Sequence, residues 1–252
     1  MTSSREAFAR YGPFLASLVA GLAIWEVAGH YTSAAFLVPL SDTIQRLIEL
    51  VESGEFADAF LSSAALFVTG LLLAIIVGAP LGLLLARVRA LRVALDLYIM
   101  ILYATPMVAL IPFILSLMGF GFWPKVLVVF LFTVFPILYN TVEGARSIKP
   151  ELIEVARSFR TDEWSLWREV MIPYTLPFTM TGVRQGIGRA LVGMIAAEFF
   201  LSSTGLGQLI MVASQNFDTG AMLAAISVIV ALGIGLMRLG MALEHHFARW
   251  RV

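Results

Sequence analysis

Residues 59–86 read AFLSSAALFVTGLLLAIIVGAPLGLLLA, and none of these 28 residues is charged. A helix needs about 20 residues to cross the hydrocarbon core of a bilayer. In lipid only a helix or a closed barrel satisfies every backbone N–H and C=O. The stretch therefore predicts a transmembrane helix, and the chain on either side repeats the pattern. Five more apolar segments of spanning length fall at about residues 13–31, 97–118, 124–142, 178–201 and 221–243. The chain is 60% hydrophobic and only 13% charged, where soluble domains carry about 25%. A soluble fold cannot hide that much apolar surface. The expected fold class is an all-α membrane protein with six transmembrane helices, a tail over residues 1–12 and one transmembrane domain over 13–252. No small-residue cleavage site follows the first apolar stretch, so it is read as a retained span.

Charge sets the expected orientation. With a cytoplasmic N-terminus, the inside segments hold Arg5, Arg10, Arg87, Arg89, Arg92, Arg146, Lys149, Arg157, Arg160, Arg168, Arg249 and Arg251. The outside loops hold Arg46 and Lys125. Twelve against two follows the positive-inside rule and places both termini in the cytoplasm, which needs an even number of crossings. Formal net charge is zero, so no basic field points to nucleic acid. The absence of cysteine excludes disulfides, thiol catalysis and cysteine metal sites.

Two loops carry their own pattern. In residues 32–58, Ile44, Leu47, Ile48 and Val51 recur at helical spacing, so a short helix is expected at the outer surface. Ser41 or Asp42 is its candidate cap. Its acids Glu49, Glu52, Glu55 and Asp58 read as a solvated face. The longest inside loop, residues 146–174, predicts a helix, a tight turn and a second helix. Pro150 suits a first helical position, and Glu151 and Glu154 complement the dipole. Leu152, Val155, Ala156 and Phe159 form one apolar side. Thr161 and Asp162 restart a helix, and Pro173 is expected to stop it. By pattern alone, this hairpin suits either the membrane interface, with Trp164 and Trp167 at headgroup level, or a protein partner.

The string ELIEVARSFRTDEWSLWREVMIPYTLP, which contains these residues, resembles the EAA loop of permease subunits of ATP-binding-cassette (ABC) importers. That pattern is E-A-A, three residues, Gly, nine residues, I-x-L-P. Glu154-Val155-Ala156 stand at E-A-A, Arg160 at the Gly, and Val170, Ile172 and Pro173 at I-x-L-P. The strings VPLSDT, GAPLGLLLAR, ATPMVALIPF, FPILYNTVEGARSIKPELIE, GRALVGMIAAEF and SSTGLGQLI make the chain from residue 37 onward similar to nitrate/sulfonate/taurine-type permeases. The resemblance implies a homodimer of this chain in a bacterial inner membrane, carrying two cytoplasmic ABC ATPase subunits and fed by a periplasmic or extracellular substrate-binding protein. It implies import of a small organic or inorganic anion. It implies ATPase coupling through Glu154, Val155, Ala156, Phe159, Arg160, Thr161 and Asp162. It also puts ATP and Mg in the partner ATPase and no cofactor in this chain. The family's Gly permits a left-handed turn, so Arg160 implies either ordinary dihedrals there or a contact with the ATPase.

The rest of the sequence agrees with a non-enzymatic subunit. Lys125 and Lys149, the two lysines, do not follow glycine, so there is no phosphate-binding G-x-x-x-x-G-K loop. Adjacent His245 and His246 point apart on a helix and make a poor metal pair. Ionisable groups inside a bilayer are functional candidates by default. Glu26 is read as structural, and Arg184 as snorkelling to the inner interface. Arg189 either pairs with an acid or attracts an anion. Glu198 either lines the outer gate or reaches outside water. Pro106 and Pro112 should kink or break the third span, which makes Tyr103, Thr105, Met107 and Met194 candidate pathway residues beside Arg189 and Glu198. Gly182 and Gly186 allow close helix approach, within one subunit or between two. The rival readings are a channel or secondary transporter needing no ATPase, and a membrane scaffold.

Overall fold

The computed structural model describes the backbone of residues 2–201 and 203–248 and the side chains of 12–201 and 203–245. The side chains of Arg5, Arg10, His246, Arg249 and Arg251 lie outside the described residues. The chain forms helices α1 (Thr2–Tyr31), α2 (Leu40–Glu52), α3 (Glu55–Arg87), α4 (Arg89–Ala104), α5 (Met107–Met118) and α6 (Phe122–Arg146). Then come α7 (Pro150–Ser158), α8 (Glu163–Ser165), α9 (Ile172–Leu201), α10 (Leu206–Gln215) and α11 (Thr219–Ala248). Among the described residues four helices are long and apolar enough to cross a membrane, and counting each of two bent pairs as one span gives six.

Helix α6 is the axis of the bundle. It lies between α3 and α9, and 67% of its apolar stretch is buried, against 6% for α1. Small residues make that possible. A Cβ on Gly182 would sit 2.9 Å from the Cα of Ile137 and the carbonyl oxygen of Pro136, and one on Gly186 would sit 3.2 Å from Thr133. The G-x-x-x-G pair of α9 therefore packs against α6 of its own chain.

The third span breaks as expected at a proline, between Ala104 and Met107, where α4 and α5 meet at 100°. Pro106 supplies the break, because it lacks an N–H and biases Thr105 to extended dihedrals (φ −69, ψ 131). Pro112 stays inside α5. Pro173 does not stop its helix. Residues Leu166–Met171 widen into a π-helical turn, in which the Ile172 N–H reaches the Trp167 carbonyl, and the rod runs on through Pro173 into α9. The wider turn relieves the crowding a proline imposes on the preceding turn.

Neither Ser41 nor Asp42 caps α2 by a side-chain bond; its N-cap is Pro39. Glu26 of α1 takes over, accepting the Ser41 N–H and hydroxyl at 2.9 Å each. This is the structural role expected of Glu26. Helix α2 packs through Thr43 and Leu50, which leaves Ile44, Ile48 and Val51 exposed.

Candidate functional site

Helix α7 projects from the end of the bundle where α3 stops and α9 begins. Pro150 is its first residue, as expected, and none of its residues is buried. Leu152 and Val155 are exposed, and Phe159 is 82% exposed. The helix ends in a Schellman turn. The Thr161 N–H bonds the Ala156 carbonyl at 3.3 Å, and the Arg160 N–H bonds the Arg157 carbonyl at 2.8 Å. Arg160 holds φ at +56 in that turn, so the left-handed conformation is kept without glycine. Asp162 then caps the next helix, accepting the N–H groups of Trp164 and Ser165. The Ser165 hydroxyl and these N–H groups hold its carboxyl below the usual carboxylate range.

One ion pair ties this elbow to the bundle. Arg87, at the end of α3, donates to both oxygens of Glu163 at 2.8 Å, and Arg157 lies 3.8 Å from the same carboxylate. The bond from Arg87 holds Glu163 below the ordinary carboxylate range.

The break between α4 and α5 opens a cavity of about 360 Å³. Tyr103, Thr105, Met107 and Arg189 all line it, with Phe132 and Phe135. Four of the six candidate pathway residues thus meet at one place. The other two do not. Met194 is 3% exposed in the core, and Glu198 is fully buried near the far end of α9.

Residues 78–249 match the model of the family described as binding-protein-dependent transport system inner membrane components. The chain belongs to that family. This permease is 39% identical over 165 residues to the riboflavin transport system permease protein RibX of Chloroflexus aurantiacus. That match covers 66% of this chain and 62% of RibX, so the aligned part is less than two thirds of the relative. The putative aliphatic sulfonates transport permease protein SsuC of Bacillus subtilis is 30% identical over 91% of this chain and 84% of its own. The taurine transport system permease protein TauC of Escherichia coli is 28% identical, covering 90% and 84%. In fold, the permease resembles an inward-facing MetNI methionine ABC transporter, with a TM-score of 0.69 and 16% identity over 78% of this chain and 97% of that one. It is a permease of an ATP-driven importer, which sets aside the channel, secondary-transporter and scaffold readings.

Sequence reasoning missed three polar contacts of the permease. Glu198 accepts the Ser63 hydroxyl at 2.6 Å and the Gly207 N–H at 2.8 Å, and Ser63 accepts the Leu206 N–H at 2.8 Å. This clasp joins α3, α9 and the start of α10. Arg184 bonds Glu244, which also accepts the Thr181 hydroxyl at 2.6 Å. Arg46 bonds Asp218 at 2.7 Å, tying α2 to the start of α11. Each pair is 60 or more residues apart in sequence, except Glu198–Gly207, and no local spacing signals it. The string G-L-G at 205–207 was the available hint, since glycine is what lets that backbone approach the Glu198 carboxylate.

Proposed function

We propose that two copies of this permease form the pathway of a bacterial inner-membrane importer, with both termini and α7 on the cytoplasmic side. Two ATPase subunits, which bind ATP and Mg, dock on Glu154–Asp162. A substrate-binding protein delivers a small anion from outside. The observation that carries this reading is α7 itself: a helix with an apolar stripe and no buried residue, held away from its own bundle. Exposed apolar residues of that kind mark a partner surface.

Docking becomes movement through one continuous rod. Helix α8, the π-helical turn and α9 form one rod from Glu163 to Leu201. Closure of the ATPase pair displaces α7, and the rod carries that displacement into the membrane as rigid-body motion. Arg87 shares the displacement with α3 through Glu163. Support for an anion comes from Arg189 in the cavity wall and from the sulfonate and taurine permeases among the relatives. The test is deletion of residues 150–165 in a correctly inserted protein. The ATPase is expected to be lost on co-purification, and its retention would overturn the proposal.

A further inference from the structure

Two arginines on α9 stand in opposite situations. Arg184 is neutralised by Glu244 on α11. Arg189, five residues on, turns about 140° round the helix axis and is exposed in the wall of the α4–α5 cavity. Among the described residues it has no ion pair or hydrogen bond, and the cavity wall holds no carboxylate. An unpaired guanidinium at membrane depth is costly unless water or an anion meets it.

The remaining wall narrows the choice of anion. Tyr103, Phe132, Phe135, Met107 and Leu131 are apolar or aromatic, and the Tyr103 ring lies tilted against Phe135 with ring centroids 5.8 Å apart. At about 360 Å³ the cavity lies at the small end of ligand sites, which run from roughly 300 to 1,000 Å³. A guanidinium fork matches the paired oxygens of a carboxylate or sulfonate.

We infer that Arg189 is the anion-recognition residue of a substrate site at the α4–α5 break, which takes a compact carboxylate or sulfonate carrying a small apolar or aromatic body. This rests on the importer reading above. It assigns the site to side chains of the membrane subunit itself, inside the pathway.

The chain contains no cysteine, so Thr105→Cys places a single thiol in the cavity wall. The permease–ATPase complex is purified in detergent and labelled with a maleimide, with benzoate, ethanesulfonate or neutral benzyl alcohol present. Benzoate and ethanesulfonate are expected to slow labelling, and benzyl alcohol is not. Adding Arg189→Gln should raise the benzoate concentration needed by about tenfold or more, and Arg189→Lys should fall between. Equal protection by benzyl alcohol, no protection by either anion, or unchanged protection in Arg189→Gln would overturn the inference. If Arg189→Gln does not assemble, the contrast between benzoate and benzyl alcohol on the Thr105→Cys protein decides alone. Failure of the importer reading looks different, because the ATPase would then be absent before any anion is added.

Discussion

The permease makes the same turn twice, once at each end of the bundle. After α7, Arg160 sits at φ +56 and Asp162 caps the following helix. After α10, Phe217 sits at φ +57, the Asp218 N–H bonds the Ala213 carbonyl, and Asp218 accepts the Ala221 N–H at 2.9 Å. Both are Schellman turns with a non-glycine residue in the left-handed position, which costs about 1 kcal/mol. Each presents an exposed phenylalanine, Phe159 at 82% and Phe217 at 78%. The packing around them differs. Helix α10 buries Leu206, Leu209 and Ala213, and its start is clasped by Glu198. Helix α7 buries nothing. One elbow is completed by its own chain, and the other, which buries nothing against that chain, is the one proposed to receive a second protein.

The sharpest break of this comparison is a charge at each exposed ring. Phe159→Asp should abolish co-purification of the ATPase, an interface loss of about 2–4 kcal/mol, whereas Phe217→Asp should leave the ATPase bound. The next effect belongs to the packed elbow. Glu198→Ala strands the Ser63 hydroxyl and the Gly207 N–H and should lower the permease's stability by about 1–3 kcal/mol. Glu198→Gln keeps an acceptor and should cost less, as read by thermal unfolding in detergent.

Much of the bundle was legible in the sequence because lipid imposes one rule on every span: about 20 apolar residues in a row. The segments at 13–31, 59–86, 124–142 and 221–243 coincide with helices for that reason. Pro106 announced a break in the third span, but apolarity does not report direction, so the 100° bend shows only in the fold. The Pro173 expectation failed on a local rule, since a π-helical turn absorbs the missing N–H. Within the candidate site, Pro106 led to Tyr103, Thr105 and Met107, and charge led to Arg189. Glu198 carried the same signal of an intramembrane charge, yet it serves packing. Its partners Ser63 and Gly207 are joined to it only by the fold.

Two smaller effects refine the comparison. Arg160→Gly and Phe217→Gly should each stabilise the protein by about 0.5–1 kcal/mol, because glycine removes the left-handed strain. Arg160→Gly should also leave ATPase docking intact, and loss of the complex would make Arg160 itself an anchor. Acid should loosen both elbows, the α7 one through Asp162 and Glu163 and the packed one through Asp218. Burial pushes the Asp218 carboxyl up, but the Ala221 N–H and Arg46 outweigh it and leave it below its ordinary value. A carboxyl lowered in the folded state stabilises above its unfolded value, about 3.9, and loses that contribution as pH falls through the folded one. The pair is partly exposed, so the loss is small, and it should appear as faster hydrogen exchange at the start of α11 below about pH 4.

The claim that the α7 elbow is the surface reserved for the motor is tested most directly by cross-linking. With no native cysteine in the chain, single thiols at Phe159→Cys and Phe217→Cys can be compared in the assembled transporter with one short bifunctional reagent. The account predicts a covalent product with the ATPase from position 159 and none from position 217. ATPase cross-linking from 217, or none from 159 in a complex that still hydrolyses ATP, would contradict it.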